Sequence, residues 1–266
     1  MKNPSVFPKV LLLTLLFSFS YFPVKAQLKS EIILSNEWAG KSLVIDGQLD
    51  DWSDSLKYFH ERTGFSYNVQ NDKETLYLAI KSHEKENLSR IIARGISFSV
   101  NTEGKKKQGQ TLIFPLFERA SPAKKPVKSA QSADQQSVRQ AELLSRITKL
   151  FVTGFTDIKD GPISLQNDYG ILAAASFDKQ GLLVIEVAIP FEQLQISNKQ
   201  NSLALLVEIN GIKQPRSSYN PNMNRNSRNS RYGYPNRDYG YDRLPAVDKQ
   251  NLASGFWLKS ILATKP

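Results

Sequence analysis

Apolar and polar side chains alternate in short runs along most of the chain. In TLYLAIKS (75–82), Leu76, Leu78 and Ile80 share one face while Tyr77 and Ala79 share the other, the period of two that an extended strand imposes. ISFSVN (96–101) alternates Ile96, Phe98 and Val100 with polar residues, and QTLIFPL (110–116) follows just beyond EGKKKQG, so this pair reads as a hairpin. GLLVIEVAI (181–189) aligns Leu183, Ile185, Val187 and Ile189, and SLALLVEIN (202–210) aligns Leu203, Leu205, Val207 and Ile209. FSYNV (65–69), ILAAASF (171–177) and FWLKSILA (256–263) complete the set, with SLVID (42–46) read as a strand running into a turn at Gly47. Many short strands separated by turns predict an all-β-dominated fold, an antiparallel β-sandwich of the jelly-roll or immunoglobulin-like kind.

One segment departs from this pattern. In QSVRQAELLSRITKLF (136–151), Val138, Ala141, Leu144, Ile147 and Phe151 recur at three- and four-residue steps, which predicts one amphipathic helix over an end or face of the sandwich. Ser132 and Asp134 are its candidate caps. Two stretches lack any apolar period: residues 118–136, and residues 213–243, rich in Asn, Arg, Ser, Tyr, Gly and Pro. Neither can bury enough surface to offset chain entropy, and both read as disordered, low-complexity insertions.

The first 26 residues have their own logic. Lys2 and Lys9 precede the apolar run LLLTLLFSFSYF (11–22), followed by Pro23 and Val24-Lys25-Ala26, the pattern of a secretory signal peptide cleaved after Ala26. The run is shorter than the ~20 residues a spanning helix needs. The expected product is a single domain over 27–266 that is periplasmic, cell-surface or secreted, with no transmembrane span.

Composition changes this picture in two ways. The chain has no cysteine, which excludes disulfides, a thiol nucleophile and thiolate metal sites. Its formal charge of +10 falls by three when Lys2, Lys9 and Lys25 leave with the signal, and residues 213–243 supply most of what remains. That segment alternates Tyr219, Tyr232, Tyr234, Tyr239 and Tyr241 with arginines. In an exported protein, such aromatic and cationic groups suit an anionic envelope surface rather than nucleic acid. A peripheral envelope scaffold is therefore one functional reading.

The order IDGQLDDW (45–52), NVQNDKETLYLAIKS (68–82), ISFSVNTEG (96–104) and VIEVAIPFEQL (184–194) resembles the family 9 carbohydrate-binding modules and related secreted sandwiches. The likeness spans roughly 43–116, 170–211 and 255–263. It implies a noncatalytic domain that binds carbohydrate, in a family where paired tryptophans stack on the sugar and calcium can support the fold. Of the three tryptophans, Trp52 reads as core. The candidate carbohydrate-binding residues are Trp38, Tyr58, Tyr67 and Asn210.

Three further sets of side chains carry candidate chemistry. Asp46, Asp50 and Asp51 offer hard oxygen ligands for calcium, without the spacing of the helical calcium loop; the competing reading is a turn in which short carboxylates accept backbone N–H bonds. Glu186 and Glu208 each interrupt an apolar strand, and a glycoside hydrolase would need them roughly 5 to 9 Å apart in a cleft. His60, His83 and Met223 each stand alone, and a haem role finds no attachment motif.

Overall fold

The computed structural model describes residues 32–41, 43–52, 56–118, 133–197, 201–212 and 252–266. Two sheets carry the expected alternation. The first has seven strands in the order β1 (Ile32–Ser35), β13 (Ser254–Ile261), β12 (Ser202–Ile209), β6 (Ile96–Asn101), β7 (Gln110–Phe117), β8 (Ile147–Thr153) and β9 (Gly161–Ser164). The second runs β10 (Leu172–Phe177), β11 (Leu183–Pro190), β5 (Thr75–Ser82), β4 (Phe65–Asn71) and β2 (Glu37–Trp38), with β3 (Tyr58–His60) also paired to β4. Most neighbours are antiparallel. The exceptions are β1 on β13 and β2 on β4, both parallel.

The register explains why the apolar rows meet. Ile80, Leu78 and Leu76 of β5 lie opposite Ile185, Val187 and Ile189 of β11, and Val100, Phe98 and Ile96 of β6 lie opposite Leu205, Val207 and Ile209 of β12. These rows from the two sheets face each other in one buried cluster, with only a void of about 20 Å³ lined from both sides. Each such side chain contributes about 1.5–3 kcal/mol on burial, so the interior is the main stabilising element and the fold is a β-sandwich.

The other face of the second sheet is covered as well. Tyr77 and Ala79 of β5 and Ala188 of β11 pack under Ala39, Leu43 and Trp52, which is why β5 is buried on both faces. The covering segment is not the strand expected for SLVID: residues 43–45 form no ladder, because they lie across the sheet rather than along its edge.

The helical content also differs from expectation. The helix α2 (Ala133–Leu144) begins inside the stretch assigned to a loop and ends early, and Ile147–Thr153 is β8, paired on both sides. The three-and-four spacing continued by chance into a β-branched run whose Leu150 and Val152 both point into the core, and ladder pairing outweighed it. Val138, on the expected apolar face, is 66% exposed. Asp134 lies within the helix, while Ser132 is outside the described residues. Two further helices have weak sequence signals: α1 (Lys85–Arg94) buries Ile91 and Asn87, and α3 (Phe191–Leu194) is a single turn. Gly95, at φ +71°, ends α1 by donating its N–H to the Ile91 carbonyl.

Residues 1–31, 119–132 and 213–251 lie outside the described residues, and with them the leader, most of the first expected insertion, all of the second, and Met223. Among the described residues no helix is long and apolar enough to cross a membrane.

Candidate functional site

The IDGQLDDW segment and the strand exit VIEVAIP, far apart in sequence, join through one carboxylate. Glu186 leaves the outer face of β11, opposite Ala79, beneath the covering segment, and is fully buried. Its Oε2 accepts the backbone N–H groups of Gly47 at 2.6 Å and Asp46 at 3.1 Å, and its Oε1 accepts the indole N–H of Trp52. Burial pushes the Glu186 carboxyl above its ordinary range, against the pull of these three donors. Gly47 sits at φ +87°, and a Cβ there would stand 2.9 Å from the Ala175 and Ser176 backbone, so only glycine makes this turn at this closeness. Its carbonyl accepts the Ser176 hydroxyl at 2.6 Å. The acidic corner is thus a clasp holding the covering segment to the sheet.

The neighbouring aspartates serve the same turn. Asp46 Oδ1 accepts the Gln48 N–H at 2.8 Å, and Asp51 Oδ2 accepts that of Val44 at 3.0 Å while Oδ1 stands 3.6 Å from Lys41. Asp50 is exposed. Among the described residues no group of three His, Asp or Glu side chains is placed to hold a metal, and Asp46 and Asp51 are turned to backbone N–H groups of their own segment.

The two strand glutamates do not meet. Glu186 faces out of the second sheet and Glu208, opposite Ser97, faces out of the first. Burial raises the pKa of Glu208 as well, a shift suited to a general acid. The sheets are separated by about 10 Å and the carboxylates point away from each other, beyond the reach of the paired geometry glycoside hydrolysis uses.

Trp38 occupies a different kind of place. It ends β2 opposite Asn71 of β4 and is half-buried. Two adjoining depressions, of about 520 and 270 Å³, share Trp38, Asp72, Lys73 and Lys265 in their walls. Asn71 fixes this arrangement. Its Oδ1 accepts the Asn36 side-chain amide at 3.0 Å and the Ala263 N–H at 2.8 Å, and its Nδ2 donates to the Asp72 and Ala263 carbonyls, both at 3.0 Å. Asn36 in turn accepts the Ser260 hydroxyl. One buried amide pair therefore ties β2 and β4 of one sheet to the segment after β13 of the other, and sets Lys265 against Trp38. Asp72 shapes the β4–β5 turn: Oδ1 accepts the N–H groups of Glu74 and Thr75 at 2.7 and 2.8 Å, and Oδ2 accepts the Tyr77 hydroxyl at 2.7 Å.

The remaining candidates lie elsewhere. Tyr58, half-buried, stacks on Tyr67 at 5.7 Å, and Tyr67, only 2% exposed, packs against Phe256 at 4.9 Å, which makes Tyr67 part of the core. Asn210 accepts the Ser97 hydroxyl at 2.7 Å and donates to the Arg94 carbonyl at 3.0 Å, closing the end of α1. It lies at the far end of β12 from Asn201, a lining residue of the smaller depression, about 30 Å away at strand rise. His60 stacks on Phe256 at 4.2 Å and shares a hydrogen bond with Thr63, and His83 shares one with Ser66. Of the four carbohydrate candidates, Trp38 lines the cleft described above. The lysines and Asn201 beside it were missed; the turn NDKE was visible in sequence, but the approach of residue 265 depends on the Asn71 hub.

Tyr67 supplies a pH test of the packing. Burial, then the neighbouring Tyr58, push its pKa from 10.0 up to about 12. Because the folded state holds this proton more tightly, its contribution is fully present below pH 10 and is lost as the pH rises through about 12. The difference in unfolding free energy between wild type and Tyr67→Phe, measured in urea, is expected to be flat below pH 10 and to shrink from pH 10 to 12. A difference independent of pH across that window would contradict the buried placement.

No protein-family model matches the chain, and no curated protein matches it. Among solved structures, a family 9 carbohydrate-binding module from Caldicellulosiruptor kristjanssonii in complex with glucose is similar, at 12% identity over 68% of this chain and 79% of that chain, with a TM-score of 0.31. At that level the likeness fixes neither family nor ligand.

Proposed function

We propose that the protein binds carbohydrate without cleaving it, and that the Trp38 cleft is the binding site. The observation that carries this reading is the half-buried indole set between two depressions. The larger one lies within the roughly 300–1,000 Å³ of small-molecule sites. A sugar ring offers an apolar C–H face that suits an indole, and its hydroxyls suit the ammonium and amide groups of Lys73, Lys265 and Asn201 at the rim. The noncatalytic part rests on Glu186 and Glu208 pointing out of opposite sheets. Export, with a periplasmic, cell-surface or secreted destination, rests on the leader pattern of residues 1–26. The envelope-scaffold alternative rests on residues 213–243, outside the described structure.

The test is a saccharide panel titrated against wild type and Trp38→Ala. Wild type is expected to bind at least one glycan with no product released on long incubation, and Trp38→Ala to bind it roughly 10–100-fold more weakly, as for a central aromatic anchor. Equal affinity in the variant, or turnover of the glycan, would count against the reading.

A further inference from the structure

We infer that the saccharide taken by this cleft is anionic: a sugar bearing a carboxylate, as a hexuronate does, with the ring on Trp38 and the carboxylate between Lys73 and Lys265. The inference rests on the Trp38 reading and deepens it.

The balance of charge within the cleft carries it. Lys73 and Lys265 line both depressions together with Trp38, so any ring against the indole has both ammonium groups at hand. Neither lysine takes part in an ion pair among the described residues. The acid both depressions share, Asp72, is turned to its own backbone and to Tyr77, with both carboxylate oxygens engaged. The larger depression adds Lys41 and Glu74, and the smaller adds no charged side chain. A neutral sugar would leave two cations facing its hydroxyls, whereas a carboxylate gives them charge-assisted hydrogen bonds. Both lysines are exposed, so the preference should be moderate and sensitive to salt.

The experiment uses the full chain and three series of oligosaccharide probes: oligomers of galacturonate, of mannuronate and of glucuronate, each beside its methyl ester. The ester keeps the ring and removes the charge. At least one acid is expected to bind about 5–10-fold more tightly than its ester at low salt, with the gap narrowing in 0.5 M salt. In the Lys73→Gln/Lys265→Gln double variant the gap should vanish, because acid affinity falls further than ester affinity. Trp38→Ala should weaken acid and ester alike.

Each failure has its own reading. Acid and ester binding equally well, with loss in Trp38→Ala, would overturn the anionic preference and leave the cleft as a neutral-sugar site. A gap that survives the double variant would place the anion contact elsewhere. Sulfated dextran competing as strongly as the best uronate, through the same lysines, would mean a bare anion site and overturn the assignment of a carboxylated sugar. No Trp38-dependent binding of any probe or neutral glycan would remove the site itself.

Discussion

Glu186→Ala is expected to destabilise the protein by about 3–5 kcal/mol, and to lower Tm by roughly 10 °C. The change leaves the Gly47 and Asp46 amides and the Trp52 indole N–H buried with no acceptor, and each orphaned donor costs about 1–3 kcal/mol. Glu186→Gln keeps one acceptor oxygen but turns an NH₂ toward the same donors, and should cost about half as much. Trp52→Phe should cost about 1–2 kcal/mol, and Trp52→Phe with Glu186→Gln should cost less than the two singly, because the second change removes a partner already lost. Urea unfolding of wild type and the four variants decides it. Additive effects, or a Glu186→Ala variant as stable as wild type, would mean that the clasp does not hold the covering segment to the sheet. If Glu186 were instead a catalytic acid, its removal would leave stability nearly untouched.

Asn71→Ala is expected to cost about 3 kcal/mol and also to abolish saccharide binding. The side chain is 1% exposed and makes four hydrogen bonds, to Asn36, Asp72 and Ala263 twice, so its loss strands buried groups on both sheets. Its effect on binding works through position: without the hub, the segment carrying Lys265 is no longer tied to the strand carrying Trp38. Measured well below the variant's own Tm, affinity should fall at least as far as in Trp38→Ala. Lys259→Ala, which removes a partly exposed side chain from the neighbouring strand β13, should do neither. An Asn71→Ala protein that keeps full affinity would show that Trp38 works without Lys265.

The strands were readable because both sheets bury one face against the other, which writes a period of two into the sequence. Leu76, Leu78 and Ile80, and likewise Leu203, Leu205 and Val207, sit where alternation puts them. The helix reading ran too far because ITKLF satisfies both periods, and only pairing with β7 and β9 distinguishes them. The helix α1 was missed since just one turn of KENLSRIIAR is apolar, and Gly95, which ends it, reads equally well as a loop glycine. Of the four sugar candidates, Trp38 borders the proposed cleft, whereas Tyr67 and Asn210 look free in sequence and are spent on packing or on α1 in space. Glu186 gave a misleading signal: a lone acid in an apolar strand resembles a catalytic group, and its partners lie about 140 residues away.

The central claim, that the Trp38 cleft holds a sugar, is tested most directly by the three indole N–H resonances in a ¹⁵N-correlation spectrum, assigned by single Trp→Phe variants. On titration with the best-bound saccharide, the Trp38 resonance should shift in a saturable way while those of Trp52, locked on Glu186, and Trp257, in β13, stay in place. A saturable shift confined to Trp257, or binding that leaves all three resonances unmoved, would contradict the account.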